Sequence, residues 1–252
     1  MKVVKFILLL FISLAFLYKC SKDGGNSESF SGTGLSGSTA RFAINGNHLF
    51  TVDNRALHSF SLATGAHPME IGAYQLGANI ETIFSLGNSL LIGAQTGMHI
   101  VNVSNPASPF LSSTVEHFTS CDPVVADNNY AYLTISNGRP RCFTGGANQL
   151  MIYDISTLSA PQLRNTVSLF QPNGLALDGK WLFVCDQGIK MFDRSNPTAP
   201  LLQEQKTGFQ SSDCIAANNL LTISSNAGIY QYSYAGDSLH FLSQIPKALP
   251  AL

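Results

Sequence analysis

Short apolar stretches alternate with polar turns rich in glycine and asparagine from Ala40 onward. Stretches of this length bounded by turn residues are typical of β-strands. One turn recurs at a near-constant interval, in the copies Asn45-Gly46-Asn47-His48, Leu86-Gly87-Asn88-Ser89, Asp127-Asn128-Asn129, Asp178-Gly179-Lys180 and Ala217-Asn218-Asn219. The first apolar residues after these turns are spaced by 41, 40, 51 and 39 residues, as Leu49, Leu90, Tyr130, Trp181 and Leu220. The chain is therefore a repeat array, with about ten extra residues in the third unit.

A third apolar strand follows in the same register in every unit. The predicted third strands are Leu57–Leu62, Met98–Val103, Leu150–Ile155, Ile189–Asp193 and Ile229–Tyr234. Proline-containing turns end two of them, as Ser104-Asn105-Pro106-Ala107-Ser108-Pro109 and Ser195-Asn196-Pro197-Thr198-Ala199-Pro200. Because proline has no N–H to donate to a sheet, these segments are turns, and a fourth short strand begins after them.

Four strands in a unit of about 40 residues match the period of a β-propeller blade. We therefore predict an all-β fold, a β-propeller of about five four-stranded blades, preceded by a signal peptide and a flexible tether. The predicted units lie near residues 40–79, 80–121, 122–173, 174–212 and 213–252. A closed ring of five is the simplest count, and six blades would follow if Ser29–Thr39 or Pro246–Leu252 added strands. A β-sandwich is the alternative, and the fixed repeat period argues against it.

The third strands and their turns resemble the LVIVD-repeat family, in which an apolar strand ending in Asp precedes Ser-Asn/Asp-Pro. The closest copies are Met151-Ile152-Tyr153-Asp154-Ile155-Ser156 and Lys190-Met191-Phe192-Asp193-Arg194-Ser195-Asn196-Pro197. The second unit has Asn in place of Asp, as Val101-Asn102-Val103-Ser104-Asn105-Pro106, and the first and fifth units have lost the pattern. The resemblance implies a propeller fold and gives almost no information about activity, because many functions share this fold.

The N-terminal segment predicts export. Lys2 and Lys5 precede an apolar run from Phe6 to Tyr18, which is shorter than the roughly 20 residues that span a bilayer as a helix. This arrangement is typical of a secretory signal peptide, here residues 1–19. An uncleaved membrane anchor is the alternative interpretation of the same run.

Cys20 and the residues around it resemble the start of a bacterial lipoprotein of the Bacteroidetes type. Leu17 stands at the −3 position of the lipobox, and a Ser/Gly-rich tract follows the cysteine. The resemblance implies cleavage before Cys20, a lipid on its thiol, and attachment to the outer membrane or cell surface through that lipid. Residues 20–39 hold few apolar side chains, which predicts a flexible tether.

Composition and motifs argue against several classes of partner and site. A formal net charge of −1 with 12% charged residues provides no basic face, so we expect no nucleic-acid partner. The sequence has no His-x-x-x-His, Cys-x-x-Cys or Gly-x-Ser-x-Gly pattern of the kind that marks metal sites or nucleophiles. We therefore predict no catalytic set, no metal site and no cofactor, although a site built from one residue per blade would leave no local motif.

A polar residue recurs about eight positions before each repeated apolar residue. These residues are Arg41, Glu81, Asp122, Asn173 and Asp213. Because the innermost strand of each propeller blade starts at one face of the central channel, the five side chains would surround the channel mouth as a ligand or cation site. Ordinary polarity of solvated loops is the alternative.

The extra residues of the third unit form a second candidate site. They lie between the second and third strands, on the face of the channel mouth, and include Arg139, Arg141 and Phe143. Arginine and aromatic side chains on a protruding loop would contact an anion, a glycan or a protein. A tolerated surface insertion is the alternative.

Four of the five cysteines remain once Cys20 carries lipid, and four cysteines allow three disulfide connectivities. The repeat register favours Cys121–Cys142 and Cys185–Cys214, because each pair joins neighbouring elements in an exported, oxidised chain. Buried free thiols are the alternative, above all for Cys185, which follows an apolar run.

The combined sequence features favour an envelope-attached lipoprotein whose non-catalytic propeller binds a protein or a glycan at one face. A propeller-type lyase or hydrolase with its site at the channel mouth is the alternative. Carboxylates and histidines converging in one deep pocket would favour the enzyme, whereas an uncharged mouth would favour binding.

Lipidation of Cys20 is the first testable prediction, because the apolar run ends just before this residue and the tether begins with it. Intact-mass analysis of the membrane-extracted protein should find acyl chains on a polypeptide that starts at Cys20. Recovery of an unmodified chain in the soluble fraction would contradict it.

Overall fold

The computed structural model describes residues 37–64, 67–116, 123–137 and 147–247. These residues form twenty β-strands in five four-stranded antiparallel sheets. The predicted five-bladed propeller is therefore confirmed. In the described part of the chain, no helix is long and apolar enough to cross a membrane.

Each blade runs in chain order from an inner strand to an outer edge. Blade 1 contains β1 (Phe42–Asn45), β2 (His48–Val52), β3 (Ala56–Ser61) and β4 (Met69–Gln75). Blade 2 contains β5 (Ile80–Leu86), β6 (Ser89–Ala94), β7 (Gly97–Asn102) and β8 (Phe110–Glu116). Blade 3 contains β9 (Val124–Ala126), β10 (Tyr130–Ile135), β11 (Gln149–Asp154) and β12 (Gln162–Ser168). Blade 4 contains β13 (Pro172–Asp178), β14 (Trp181–Asp186), β15 (Ile189–Asp193) and β16 (Leu201–Lys206). Blade 5 contains β17 (Ser211–Ala217), β18 (Leu220–Ser225), β19 (Gly228–Ser233) and β20 (His240–Pro246). The predicted third strands agree with β3, β7, β11, β15 and β19 to within one residue at either end.

Blades pack through the alternating faces of their strands, because successive side chains in a strand point to opposite sides of the sheet. Four apolar clusters join blade 1 to blade 2, blade 2 to blade 3, blade 3 to blade 4 and blade 4 to blade 5. In the last of these, the rings of Phe183 and Tyr234 lie 4.8 Å apart between centroids. Trp181 is only 6% exposed in the same cluster, which explains why it takes the place of an aliphatic residue in the repeat.

Polar contacts join blade 5 to the segment that leads into blade 1. Ser38 donates from Oγ to Asp213 at 3.0 Å, and Thr39 donates from Oγ1 to the same carboxylate at 2.6 Å. On the two sides of this junction, Phe42 is 53% exposed and Ile215 is 38% exposed. Ser38 is itself buried, so the packed part of the chain begins by Gly37, inside the segment that the sequence predicts as tether.

The LVIVD-like signature forms a turn that a side-chain oxygen holds in place. The Asp154 carboxylate accepts hydrogen bonds from Ser156 N at 3.0 Å and Ser156 Oγ at 2.6 Å. Together with Arg164, these bonds lower the pKa of Asp154 to about 2. Asn102 makes the same pair of contacts with Ser104, at 2.9 and 2.6 Å. The motif therefore needs an acceptor oxygen rather than a charge, which explains the Asn of the second unit.

Several connections of each blade lie at the same edge of the propeller. The first strand of each blade starts there, and the connection between the second and third strands lies beside it, as the pairing of Pro172 with Asp186 shows in blade 4. The third strand begins and the fourth ends at this edge, since Ile189 pairs with Lys206. We call this edge of the blades the top face.

Asn102 offers a direct test of the turn. Asn102→Ala removes the acceptor of two hydrogen bonds and should lower the free energy of unfolding by about 0.5–1.5 kcal/mol. Asn102→Asp keeps the acceptor oxygen and should leave stability close to that of the wild type. Urea denaturation measures both changes. Equal loss in the two variants would show that the turn does not depend on this oxygen.

Candidate functional site

A polar pocket opens on the top face between blades 4 and 5. Its volume is about 380 Å³, within the range of roughly 300–1,000 Å³ that small-molecule sites occupy. Five amide and three hydroxyl side chains line it, namely Gln171, Asn173, Gln187, Gln210, Asn226, Ser211, Ser212 and Ser225. The lining therefore contains hydrogen-bonding groups and no ionisable side chain.

Hydrogen bonds between the two blades hold the walls of the pocket together. Asn173 donates from Nδ2 to the carbonyl of Ser211 at 2.7 Å. Ser211 in turn donates from Oγ to the carbonyl of Gly188, in the turn that joins β14 to β15. Within blade 5, Asn226 accepts a hydrogen bond from Gln210 N at 3.1 Å. Because the bonds of Asn173 and Ser211 connect both blades, contacts of the protein itself hold the walls of the pocket in place.

A buried ion pair fixes the loop that carries Gln171. The Asp186 carboxylate, which is fully buried, accepts hydrogen bonds from Phe170 N at 3.1 Å and Gln171 N at 2.6 Å. It also forms an ion pair with Lys190. The carboxylate that anchors this loop is thus occupied by backbone N–H groups and an ammonium group, and it does not line the pocket.

Three glutamines form the exposed rim of the pocket. Within the described residues, no hydrogen bond engages the side-chain amides of Gln171, Gln187 or Gln210. Gln187 has a φ of 52°, a left-handed conformation that costs free energy for a residue other than glycine. The rim therefore presents several donors and acceptors that are not engaged by other groups of the described structure.

A second cavity of about 340 Å³ adjoins the first and shares Gln187, Gln210 and Asn226 with it. Thr207, Gly208 and Phe209 complete its lining. The ring of Phe209 stacks on that of Tyr230, with centroids 4.5 Å apart and an angle of 19° between the planes. The second cavity thus adds an aromatic surface beside the amide rim.

The described members of the predicted channel-mouth ring make different contacts. Asn173 lines the pocket, whereas Asp213 binds Ser38 and Thr39. Arg41 donates from Nη2 to the carbonyl of Ile80 at 3.1 Å and so joins blade 1 to blade 2. Glu81 lies in β5. A ligand or cation site built from the whole ring stays a prediction, and three of its members, Arg41, Asn173 and Asp213, are engaged in contacts between blades.

Several predicted site residues lie outside the described residues. They are Cys20, Cys121, Asp122, Arg139, Arg141, Cys142 and Phe143. The two ends of the third-unit insertion are described, and Asn148 accepts a hydrogen bond from Asn137 N at 2.6 Å. The strands on either side pair fully, from Tyr130 with Asp154 to Ile135 with Gln149. Neither strand depends on the insertion for its ladder.

Cys185 and Cys214 are free thiols in the structure, in place of the predicted disulfide. Both are buried in the apolar cluster between blades 4 and 5. A hydrogen bond with Cys185, together with burial, raises the pKa of Cys214 well above its usual value. The sequence thus identified two neighbouring cysteines, and the packed apolar surroundings accommodate them as thiols. Oxidation of this pair in the exported protein stays a prediction.

Residue-by-residue reasoning missed most of the pocket. The missed lining residues are Gln171, Gln187, Gln210, Ser211, Ser212, Ser225 and Asn226. Their signal was a series of amide and hydroxyl residues at top-face turns of the fourth and fifth units, including Gln187-Gly188 and Gln210-Ser211-Ser212. In the described part of the chain, no three His, Cys, Asp or Glu side chains are placed to hold a metal ion.

Comparison with known proteins supports the repeat and the fold. The LVIVD repeat matches residues 83–117, 143–168 and 172–207, which lie in the second, third and fourth units. No curated protein sequence matches the chain. Solved propeller-type structures do match it.

Three of these structures illustrate the similarity. A protein from Lactobacillus plantarum has a TM-score of 0.64 and 13% identity, over 81% of this chain and 74% of its own. The periplasmic gluconolactonase of Pseudomonas aeruginosa has a TM-score of 0.61 and 13% identity, over 81% and 70% of the two chains. A functionally unknown protein from Desulfotomaculum acetoxidans has a TM-score of 0.60 and 10% identity, over 86% and 70%. At these identities the similarity establishes the fold alone. The chain is accordingly a five-bladed β-propeller with LVIVD repeats in its second, third and fourth blades.

Proposed function

We propose that this chain is an envelope-attached lipoprotein whose propeller is a non-catalytic binding module, with its binding site in the pocket between blades 4 and 5. The observation that carries the proposal is the chemistry of that pocket. Its lining consists of amides and hydroxyls, and three rim amides keep their hydrogen-bonding groups available within the described structure. Such groups gain partners when a polar ligand binds.

The same chemistry favours binding over general acid–base catalysis. A general acid or base needs a titratable group in contact with the substrate. The eight lining residues provide none, and the nearby Asp186 is engaged by Lys190 and by backbone N–H groups. The pocket is therefore suited to holding a ligand that leaves unchanged.

Attachment to the envelope rests on the N-terminal sequence. A signal peptide of residues 1–19, cleaved before Cys20, would direct the chain across the inner membrane and leave the domain tethered by lipid on Cys20. A protein described as a periplasmic gluconolactonase shares the fold, which is consistent with a propeller that works outside the cytoplasm. We propose the outer membrane or cell surface as its location.

Ligand-observed NMR on the full chain in detergent tests the binding function. The probes are four compound classes, namely neutral sugars, sugar phosphates, free amino acids and short peptides. Gln187→Gly removes a rim amide at a position whose φ of 52° suits glycine, so the fold should be kept. Asn219→Gly is the matched control, because Asn219 also has a positive φ, of 62°, but lies in the turn between β17 and β18, away from the pocket.

At least one class should bind, and Gln187→Gly should weaken its binding while Asn219→Gly does not. Spectra of the bound compounds should stay unchanged after long incubation, and conversion to a product would favour the lyase or hydrolase. If no class binds, or both variants bind as the wild type does, the pocket is not the binding site.

Replacing residues 138–146 by a short glycine linker tests the third-unit insertion separately. It should leave Tm nearly unchanged and abolish binding of any partner that docks on Arg139, Arg141 and Phe143.

A further inference from the structure

We infer that the pocket between blades 4 and 5 binds a neutral oligosaccharide, with adjacent sugar units in its two cavities. This inference rests on the proposed binding function and specifies its ligand. It uses three features of the described residues: the uncharged lining, the available rim amides and the aromatic stack beside them.

The uncharged lining selects against charged ligands. A charged group that leaves water needs an opposite charge or several strong hydrogen bonds to offset the free energy of desolvation. The lining offers no such charge. Lys190, on the neighbouring strand, is only 14% exposed and is paired with Asp186. A neutral ligand avoids this cost, because amides and hydroxyls can replace the hydrogen bonds that it made with water.

The rim amides match the chemistry of sugar hydroxyls. A primary amide has two N–H donors and a carbonyl acceptor, and each hydroxyl of a sugar can donate and accept at once. Gln171, Gln187 and Gln210 surround one opening, and their side-chain amides have no intramolecular partner within the described structure. Adjacent hydroxyls of one sugar ring would engage them without leaving a buried polar group unpaired.

The second cavity indicates more than one sugar unit. It shares Gln187, Gln210 and Asn226 with the first, so a chain of linked rings would pass from one to the other across these amides. Phe209 lines it and stacks on Tyr230. The C–H face of a sugar ring is apolar and can pack against such an aromatic surface. Since the walls are cross-linked between blades, the backbone of the walls needs little ordering when the ligand binds.

Titration calorimetry on the full chain in detergent tests the ligand class. The neutral probes are maltotriose, cellotriose, mannotriose and triacetylchitotriose, and trigalacturonate and a short uncharged peptide are the comparison ligands. At least one neutral trisaccharide should bind, more tightly than its monosaccharide. Gln187→Gly and Gln210→Ala should each raise its Kd by about three- to tenfold, the loss expected from one neutral hydrogen bond. Asn219→Gly should leave the Kd unchanged, and the Tm of each variant reports whether it is folded.

Three results would overturn the inference. They are failure of all four neutral trisaccharides to bind, equal or tighter binding of trigalacturonate, and a Kd that the two pocket variants leave unchanged. If trigalacturonate or the peptide binds and Gln187→Gly weakens it, the pocket is a binding site and only the ligand class is wrong. If none of the probes in either experiment responds to Gln187→Gly, the proposed function fails as well.

Discussion

Burial of one blade face against the next is the constraint on which the structure depends. A single four-stranded sheet cannot cover its apolar side chains, and stacking neighbouring units buries them. Blades 4 and 5 illustrate this packing, since Phe183 and Tyr234 meet in the cluster between them. The repeat period follows from this requirement, because each unit must present the same pair of faces to its neighbours.

The pocket arises where that packing stops. The cluster between blades 4 and 5 extends to buried Cys185 and Cys214, and above them the top-face turns carry amides and hydroxyls in place of apolar side chains. Packing of the blades keeps the backbone rigid. The hydrogen bonds of Asn173 and Ser211 between the blades fix the walls of the pocket. Function in this account resides in residues that the repeat does not use for folding.

The fold could be predicted from the sequence because the features that specify it are local and repeated. The Asn-Gly type turns, the proline turns and the spacing of Leu49, Leu90 and their equivalents specify strands, strand order and blade number. The signature residues Asp154 and Asn102 also proved structural, since both accept hydrogen bonds from a serine two positions later. The pocket could not be predicted in this way, because its lining residues come from two blades and several turns. Reading one position per blade found Asn173 and missed Gln187 and Gln210, whose role depends on how two blades meet.

The most direct test of the account is a crystal structure of the chain with a bound neutral trisaccharide. We expect sugar density between blades 4 and 5, with hydroxyl oxygens about 2.7–3.2 Å from the side-chain amides of Gln171, Gln187 and Gln210. Asn173 and Ser211 should keep their contacts between blades. Sugar bound at the channel mouth or on the third-unit insertion, with the pocket empty, would contradict it.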